Sequence, residues 1–152
     1  MRLVEGTAER LLYVAENLRE QDQKEVLSSH GKDAKEACME SWVHSQFSQC
    51  YEGDDGNPVG IWGVNDLGDE QIIWLLGTKN LTATKSHRRQ MHRLTIGILQ
   101  DLVANGCDYL HNWCMAENKT SLHWLRHLGF TIDEPAPFGA QNDMFCHFWR
   151  RH

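Results

Sequence analysis

The sequence predicts an α/β (α+β) protein in which a mixed, mostly antiparallel central sheet of about six to seven strands is flanked by about four helices. Short strand-like runs between residues 47 and 76 are separated by turn residues, which is typical of an antiparallel meander. Strand–helix–strand crossovers follow later in the chain and require some parallel pairing. With 152 residues and no Pro/Gly-rich linker, the chain is predicted to form a single domain over residues 1–152.

The first predicted elements are a strand at residues 2–5 and a long helix. Thr7 is placed to cap this helix, whose apolar residues recur on one face until it fades near Leu27. A second helix begins after Asp33, because Asp33 and Glu36 have the spacing of a capping box.

Three strands then follow, predicted at residues 47–52, 58–64 and 71–76. Residues 72–76 are apolar on both faces, and a strand with two apolar faces is buried on both sides. We therefore expect this strand to lie at the centre of the sheet.

A loop rich in Thr and Lys is predicted at residues 79–86, and a helix follows it. Gly106 ends this helix, and the next strand is predicted at residues 107–114. The apolar positions expected to face inward from the helix are Met91, Leu94, Thr95, Ile98, Leu99, Leu102 and Val103.

The last helix is predicted at residues 118–128. The Asn118 side chain can accept a hydrogen bond from an unpaired N–H group at its start. Gly129 can adopt the left-handed conformation that ends a helix. Strands at residues 130–133 and 143–150, joined by a loop, complete the predicted order.

The segment N-K-T-S-L-H-W-L-R-H-L-G-F, residues 118–130, resembles the pattern of Asn, a small residue, Tyr and Gly-Phe in the GNAT N-acetyltransferases. The predicted element order also matches that fold, so the resemblance covers nearly the full chain. A closer resemblance is to GNAT-like proteins of short-tailed bacteriophages (podoviruses), which include a small internal virion protein. The segments that carry it are residues 17–26, 74–78, 110–118, 124–130 and 137–148.

The resemblance implies where acetyl-CoA would bind. In active members a glycine-rich loop at a helix start cradles the pyrophosphate with main-chain N–H groups. The matching residues here, 86–92, contain no glycine. The pantetheine arm would pair with the main chain of residues 75–78. The implied cofactor-contact residues are Leu76, Gly77, Arg88, Arg89, Gln90 and Asn118.

No catalytic residue is assigned. Active members commonly carry a Tyr five residues before the Phe of Gly-Phe, where it can protonate the departing thiolate. Leu125 occupies that position and has no proton to give. His123 and His127 are the neighbouring residues that could substitute for it, subject to geometry.

No metal site is predicted. His123 and His127 lie four residues apart, but Trp124 stands where an H-E-x-x-H site needs Glu, and no third ligand is indicated. The five cysteines are odd in number and are expected to be free thiols. Cys107 and Cys114 are expected to be small buried residues.

Charge and hydropathy limit the partners. The net charge of −6 argues against a general nucleic-acid binder. The sequence shows no secretory apolar region and no apolar run of membrane-spanning length. Lys85, Arg88 and Arg89 lie at a helix start, where each exposed cation costs about 0.3–1 kcal/mol. This basic turn is a hint of an anionic partner.

The leading hypothesis is a bacteriophage GNAT-fold protein with a degenerate acetyl-CoA site. It would be non-catalytic, use no cofactor, and act as an internal virion or assembly-associated protein through contacts with other virion or host proteins. Its expected location is the virion interior or the cytoplasm of the infected bacterium. The aromatic residues expected at the contacts are Trp42, Trp62, Trp113 and Trp124.

Two alternatives stay open. One is a divergent acetyl-CoA-dependent N-acetyltransferase that acts on a small molecule or a protein, with Arg88 and Arg89 on the phosphates. The other is a nucleotide or nucleic-acid sensor that uses the same basic turn, against which the net acidity weighs. The sequence predicts no oligomeric state.

Overall fold

The computed structural model describes all residues, 1–152, as five α-helices and an eight-stranded sheet, so the predicted fold class is confirmed with an additional helix. The strands are β1 Arg2–Glu5, β2 Phe47–Glu52, β3 Pro58–Asp66, β4 Gln71–Gly77, β5 Tyr109–Met115, β6 Thr131–Ile132, β7 Ala136–Phe138 and β8 Asp143–Arg151. The helices are α1 Ala8–Glu16, α2 Glu20–His30, α3 Ala34–Val43, α4 Lys85–Ala104 and α5 Lys119–His127, with a 3-10 turn at Lys79–Leu81.

The sheet has the strand order β1-β2-β3-β4-β5-β8-β6, and β7 also pairs with β8. Only β4 and β5 pair in parallel, through the crossover that contains α4. The second crossover, through α5, places β6 beyond β8 rather than beside β5. The expected central strand, β4, lies between β3 and β5, as its two apolar faces predict.

Helices cover both faces of the sheet. The larger core cluster contains 18 buried residues and packs α4 and α5 against one face. The smaller cluster contains six buried residues and packs α1 and α3 against the other. Side chains of β4 alternate between them, since Ile73 and Leu75 contact the larger cluster whereas Trp74 and Leu76 contact the smaller one.

The predicted long first helix is wrong, because residues 17–19 divide it into α1 and α2. Leu18 forms an isolated antiparallel bridge with Thr78, and the Arg19 N–H donates to the Gly77 carbonyl at 2.9 Å. The extended backbone of Arg19 (φ −56°, ψ 148°) allows this pairing. A tertiary contact therefore overrides the helical pattern of the sequence.

The predicted helix ends are confirmed where a local signal specified them. Thr7, Asp33 and Asn118 each accept a hydrogen bond from the N–H group three residues later. Gly106 and Gly129 have φ values of 90° and 91°, in the left-handed region that favours glycine.

The predicted loop between the last two strands is wrong in part, because residues 136–138 form β7 and pair with the start of β8. The strand predicted at residues 107–114 begins later, at Tyr109. All five cysteines are buried free thiols, as predicted. None of the helices combines the length and the apolarity that a membrane crossing requires.

Candidate functional site

The parallel strands β4 and β5 separate after a short paired stretch. On β4 the pairing with β5 is confined to Gln71 and Ile72. The Asn112 Nδ2 group then donates to the Ile73 carbonyl at 2.8 Å, where the strands begin to diverge. A wedge, bounded by residues 74–77 and 112–115, lies beyond this bond. The resemblance implies that the pantetheine arm of acetyl-CoA would bind in this wedge.

On the β4 side of the wedge, the main-chain groups of Gly77 are bonded to other parts of the chain. The Gly77 N–H donates to Asp22 Oδ2 at 2.7 Å, and the Gly77 carbonyl accepts from the Arg19 N–H at 2.9 Å. Main-chain groups of successive strand residues point to opposite edges. The Thr78 N–H donates to Val59 of β3, so both groups of Gly77 point into the wedge.

Asp22 is a buried acid, with 6% of its surface exposed. The Arg19 guanidinium donates to both of its carboxylate oxygens, at 2.9 and 3.0 Å. Burial raises the pKa of Asp22, while the Arg19 charge and the Gly77 N–H oppose that rise. Asp22 is thus satisfied by partners from β4 and from the turn between α1 and α2.

Glu25, one helical turn after Asp22, makes the corresponding contacts at the β5 side. Its Oε1 accepts from the Met115 N–H at 3.2 Å and from Asn118 Nδ2 at 3.1 Å, and lies 3.6 Å from Cys114 Sγ. Burial raises the pKa of Glu25, and the Asn118 bond opposes that rise. Helix α2 therefore ties together the ends of both diverging strands.

The start of α4 is electropositive, in contrast to the wedge with its two buried acids. Thr84 caps the helix, because its Oγ1 accepts from the His87 N–H at 3.1 Å. The N–H groups of Lys85 and Ser86 precede the first intrahelical bond and have no partner within the helix. Together with the helix dipole they form an electropositive end, although no glycine shapes a cradle around it.

Arg88 and Arg89 are exposed on the first turns of α4, and neither forms a salt bridge. Arg88 Nη1 donates to the Thr82 carbonyl at 3.1 Å. Gln90 Nε2 donates to Ser86 Oγ at 3.0 Å, and Gln90 Oε1 accepts from the Met1 ammonium group at 3.0 Å, so both ends of this amide are engaged. Lys85, Arg88 and Arg89 are the exposed cations of this turn, and none of them has an acidic partner.

A side-chain bond crosses from α5 to α4. Trp124 Nε1 donates to His92 Nδ1 at 3.0 Å, and both side chains are half-buried. The bond joins the two helices that cover the β4–β5 wedge from the other face of the sheet.

The position of the expected general acid lies in the core. Leu125 is 8% exposed and belongs to the larger cluster, and its carbonyl accepts from the Phe130 N–H at 3.0 Å. His123 and His127 are exposed on the outer side of α5, with ring centroids 4.4 Å apart. No three His, Cys, Asp or Glu side chains are grouped so as to hold a metal.

The six predicted cofactor-contact residues thus fall into separate groups. Gly77 and Asn118 meet through α2, by way of Asp22 and Glu25. Arg88, Arg89 and Gln90 lie together at the start of α4, and Leu76 packs towards the smaller core cluster.

Sequence reasoning missed Arg19, Asp22 and Glu25. The phage-like segment 17–26 contains all three, so a signal was present without an assigned role. A finer signal is that Asp22 and Glu25 flank Val26 on the buried side of α2, where acids without partners are rare.

Two open surface pockets lie away from the wedge. One of about 370 Å³ lies between α4 and the C-terminal end of α5, near Ile96 and His127. The other, of about 510 Å³, lies at the start of β1 and the turn of residues 53–56. Neither is lined by β4 or by the basic turn.

The sequence matches no protein-family model and no curated protein. The fold is similar to solved structures. Over 100% of both chains it resembles the ribosomal-protein-alanine N-acetyltransferase of Brucella melitensis, with a TM-score of 0.76 and 11% identity. It also resembles the GNAT superfamily phosphinothricin acetyltransferase of Sinorhizobium meliloti in complex with AcCoA, with a TM-score of 0.71, 13% identity and coverage of 99% and 87%.

A further similar structure is aminoglycoside 6'-acetyltransferase type Ii, with a TM-score of 0.70, 13% identity, and coverage of 99% of this chain and 97% of that one. Identities this low establish a shared fold and do not transfer a substrate or a reaction. The architecture, the splayed β4–β5 pair and these matches together show that the chain has the GNAT fold.

Proposed function

We propose that this chain is a GNAT-fold protein with a degenerate acetyl-CoA site, that it does not transfer acetyl groups, and that it works through protein contacts. The observation that carries the proposal is the internal bonding of Gly77 at the wedge. The Gly77 N–H and carbonyl, which a pantetheine arm would need, are bonded to Asp22 and Arg19. The residues present therefore do not fit this part of the cofactor.

The internal contacts are costly to displace. A ligand that pairs with Gly77 must break both main-chain bonds and leave the buried Asp22 carboxylate without its N–H donor. Each buried polar group left unsatisfied costs about 1–3 kcal/mol, and each 1.4 kcal/mol weakens binding about tenfold. The wedge thus disfavours a pantetheine arm before any contact of the cofactor is counted.

The missing proton donor supports the same proposal. Leu125 is buried against the core and cannot protonate a departing thiolate. A general acid contributes about 10²–10⁴-fold to such a reaction. A chain without this group would transfer acetyl groups slowly even if the cofactor reached the wedge.

The biological setting in the proposal comes from the resemblance to the podovirus proteins. We infer an internal virion or assembly-associated protein, located in the virion interior or in the cytoplasm of the infected bacterium. Trp62 is 5% exposed and is a core residue, which corrects its expected role at a contact. Exposed apolar side chains on the three N-terminal helices, Tyr13, Leu27 and Val43, are the better candidates for such contacts.

Calorimetry with CoA tests the non-catalytic part. We expect no binding heat at millimolar CoA, under conditions in which an active GNAT acetyltransferase gives a clear signal. Acetyl transfer from acetyl-CoA at an enzyme-like rate would defeat the proposal.

Mass spectrometry of purified phage particles tests the setting separately. We expect peptides of this chain in the particle. Their absence would remove the virion assignment and leave the account of the wedge intact.

The second candidate is a divergent acetyl-CoA-dependent N-acetyltransferase acting on a small molecule or protein. The observation that favours it is the unpaired basic turn of Arg88 and Arg89 at the start of α4. CoA binding that is lost in an Arg88→Ala, Arg89→Ala double variant and kept in Arg93→Ala would favour this candidate, because Arg93 is an exposed cation of the same helix outside the first turn.

A further inference from the structure

Two histidine rings meet across β5 and β8. His111 Nδ1 lies 3.0 Å from His147 Nε2. Each ring has a carboxylate at its other nitrogen: Glu70 Oε2 lies 3.2 Å from His111 Nε2, and Asp133 Oδ2 lies 3.2 Å from His147 Nδ1. We call these four residues, Glu70–His111–His147–Asp133, the acid–histidine row.

The two rings are mostly shielded from water, whereas the Glu70 and Asp133 carboxylates are partly exposed, at 41% and 48%. The His111 and His147 side chains are 14% and 20% exposed. His111 Nε2 is buried and makes no aligned hydrogen bond, so Glu70 acts on it through its charge. Asp133 Oδ1 also accepts from Trp149 Nε1 at 3.1 Å, which fixes this carboxylate beside the row.

Two neutral rings cannot supply an N–H to each other and to both carboxylates at once. A neutral imidazole has one N–H and one bare nitrogen. If His147 directs its proton at Asp133, His111 must donate to His147 and turn its bare nitrogen to Glu70. If His147 donates to His111 instead, its own bare nitrogen faces Asp133. In either arrangement a lone pair is directed at a carboxylate.

A single additional proton removes this conflict. With one ring doubly protonated, an N–H lies between the rings and an N–H faces each carboxylate. A second additional proton would place two N–H groups against each other at 3.0 Å, which repels. The geometry therefore favours one extra proton over none and over two.

Burial and the neighbouring charges shift the pKa values of His111 and Asp133. Burial lowers the pKa of His111, Glu70 opposes this effect, and the nearby His147 adds to it. The Trp149 N–H and His147 together lower the pKa of Asp133. In the arrangement with one extra proton, His147 donates from Nδ1 to Asp133 and from Nε2 to His111 Nδ1. His111 then directs its own N–H, on Nε2, at Glu70.

The remaining groups on this face do not compete for the proton. Tyr109 stacks on His111 with ring centroids 4.9 Å apart, and the Arg151 guanidinium lies 4.1 Å above the Tyr109 ring. Trp113 lies 4.9 Å from the His147 ring. Two charged groups face the rings. Glu70, in the turn between β3 and β4, faces His111, and Asp133, in the segment after β6, faces His147.

We propose that the acid–histidine row binds one proton and only one, and that this proton makes the β5–β8 end of the sheet pH-sensitive. The row links the turn before β4, the strands β5 and β8, and the segment that follows β6. Loss of the proton at higher pH turns a lone pair towards a carboxylate, and arrival of a second proton at lower pH sets two N–H groups against each other. In both cases a hydrogen bond is replaced by a repulsion, which loosens this link. The proposal does not depend on the function of the wedge.

The test is an NMR titration of the ring nitrogens in the folded wild-type protein. We expect His147 to show both nitrogens protonated and His111 to show its proton on Nε2, with one proton released from the pair as the pH rises. Two doubly protonated rings in the folded state would overturn the proposal. So would two neutral rings throughout the range in which the protein is folded.

Variants separate the row from histidines in general. Asp133→Asn removes one carboxylate from a half-exposed position and should move the midpoint of the pair to lower pH by about one unit. His127→Gln is the matched control, because His123 and His127 also lie close together but have no carboxylate partners. His127→Gln should leave the ring-nitrogen NMR signals of His111 and His147 unchanged throughout the titration. An unchanged midpoint in Asp133→Asn would overturn the proposal.

Discussion

The wedge between β4 and β5 and the first turn of α4 are the two regions that the resemblance assigns to the cofactor, yet their polar groups are engaged very differently. In the wedge, both main-chain groups of Gly77 have partners, and Asp22 and Glu25 are buried against the strand ends. At the start of α4, Arg88 and Arg89 are exposed and have no acidic partner.

Charged side chains are also distributed unevenly along the chain. Residues 1–78 contain six basic and fifteen acidic side chains, whereas residues 79–152 contain nine basic and six acidic ones. The contrast teaches that exposed cations at the start of α4 can occur in the same chain as a wedge whose Gly77 main-chain groups are bonded internally. Four predictions test how sharp this division is.

The largest effect is expected from Asp22→Ala, which removes the acceptor of the Gly77 N–H and the partner of Arg19. We expect the free energy of unfolding to fall by about 3 kcal/mol, measured by urea denaturation. Glu20→Ala, an exposed acid in the same helix, is the control and should cost less than about 1 kcal/mol. Equal losses in the two variants would mean that α2 does not close the wedge.

Leu125→Tyr returns a hydroxyl to the expected acid position. Because Leu125 is buried, the larger ring should lower the free energy of unfolding by about 2 kcal/mol, while Leu125→Met should cost about 1 kcal/mol or less. We expect no acetyl transfer from acetyl-CoA by either variant, since the Gly77 main-chain groups remain bonded internally. Activity gained in Leu125→Tyr would show that the wedge admits the cofactor.

The pH dependence of stability should report the buried acids. Burial raises the pKa of Glu25 above its ordinary value of 4.5, so its contribution to stability is complete below that value and is lost as pH rises through the folded-state pKa. Glu25→Gln should therefore show a flatter decline of unfolding free energy above about pH 4.5 than the wild type. Glu20→Gln, an exposed control, should keep the wild-type slope.

The smallest effect is expected at the basic turn. Replacing Arg88 and Arg89 by Ala removes cations from the positive end of α4 and should raise the free energy of unfolding by about 0.5 kcal/mol at low ionic strength. The gain should shrink in high salt, and Arg93→Ala should show none of it. A loss of stability in the double variant would reveal an acidic partner within the chain.

Much of the fold follows from signals that are local in the sequence. Strand β2 occupies the predicted residues 47–52, and Asn118 caps α5 as expected. These features depend on alternating side chains or on hydrogen bonds that span a few residues. The central place of β4 could be predicted too, because burial on both faces demands apolar residues at consecutive positions.

The site was predicted only in part. The positions of Arg88, Arg89 and Leu125 could be found by counting from the glycines that end the helices. The roles of Asp22 and Glu25 could not, because an acid on a helix normally faces water, and only the strand ends supply the N–H donors that make burial tolerable.

By itself, the sequence determined the fold class, the helix caps, the absence of glycine from residues 86–92 and the leucine at position 125. Only the tertiary structure decided that α1 and α2 separate at Arg19, that Asp22 reaches Gly77 across 55 residues, and that His111 meets His147 across 36. The physical reason is that these contacts join groups far apart in the chain. Their partners are defined only once the sheet has brought the strands together.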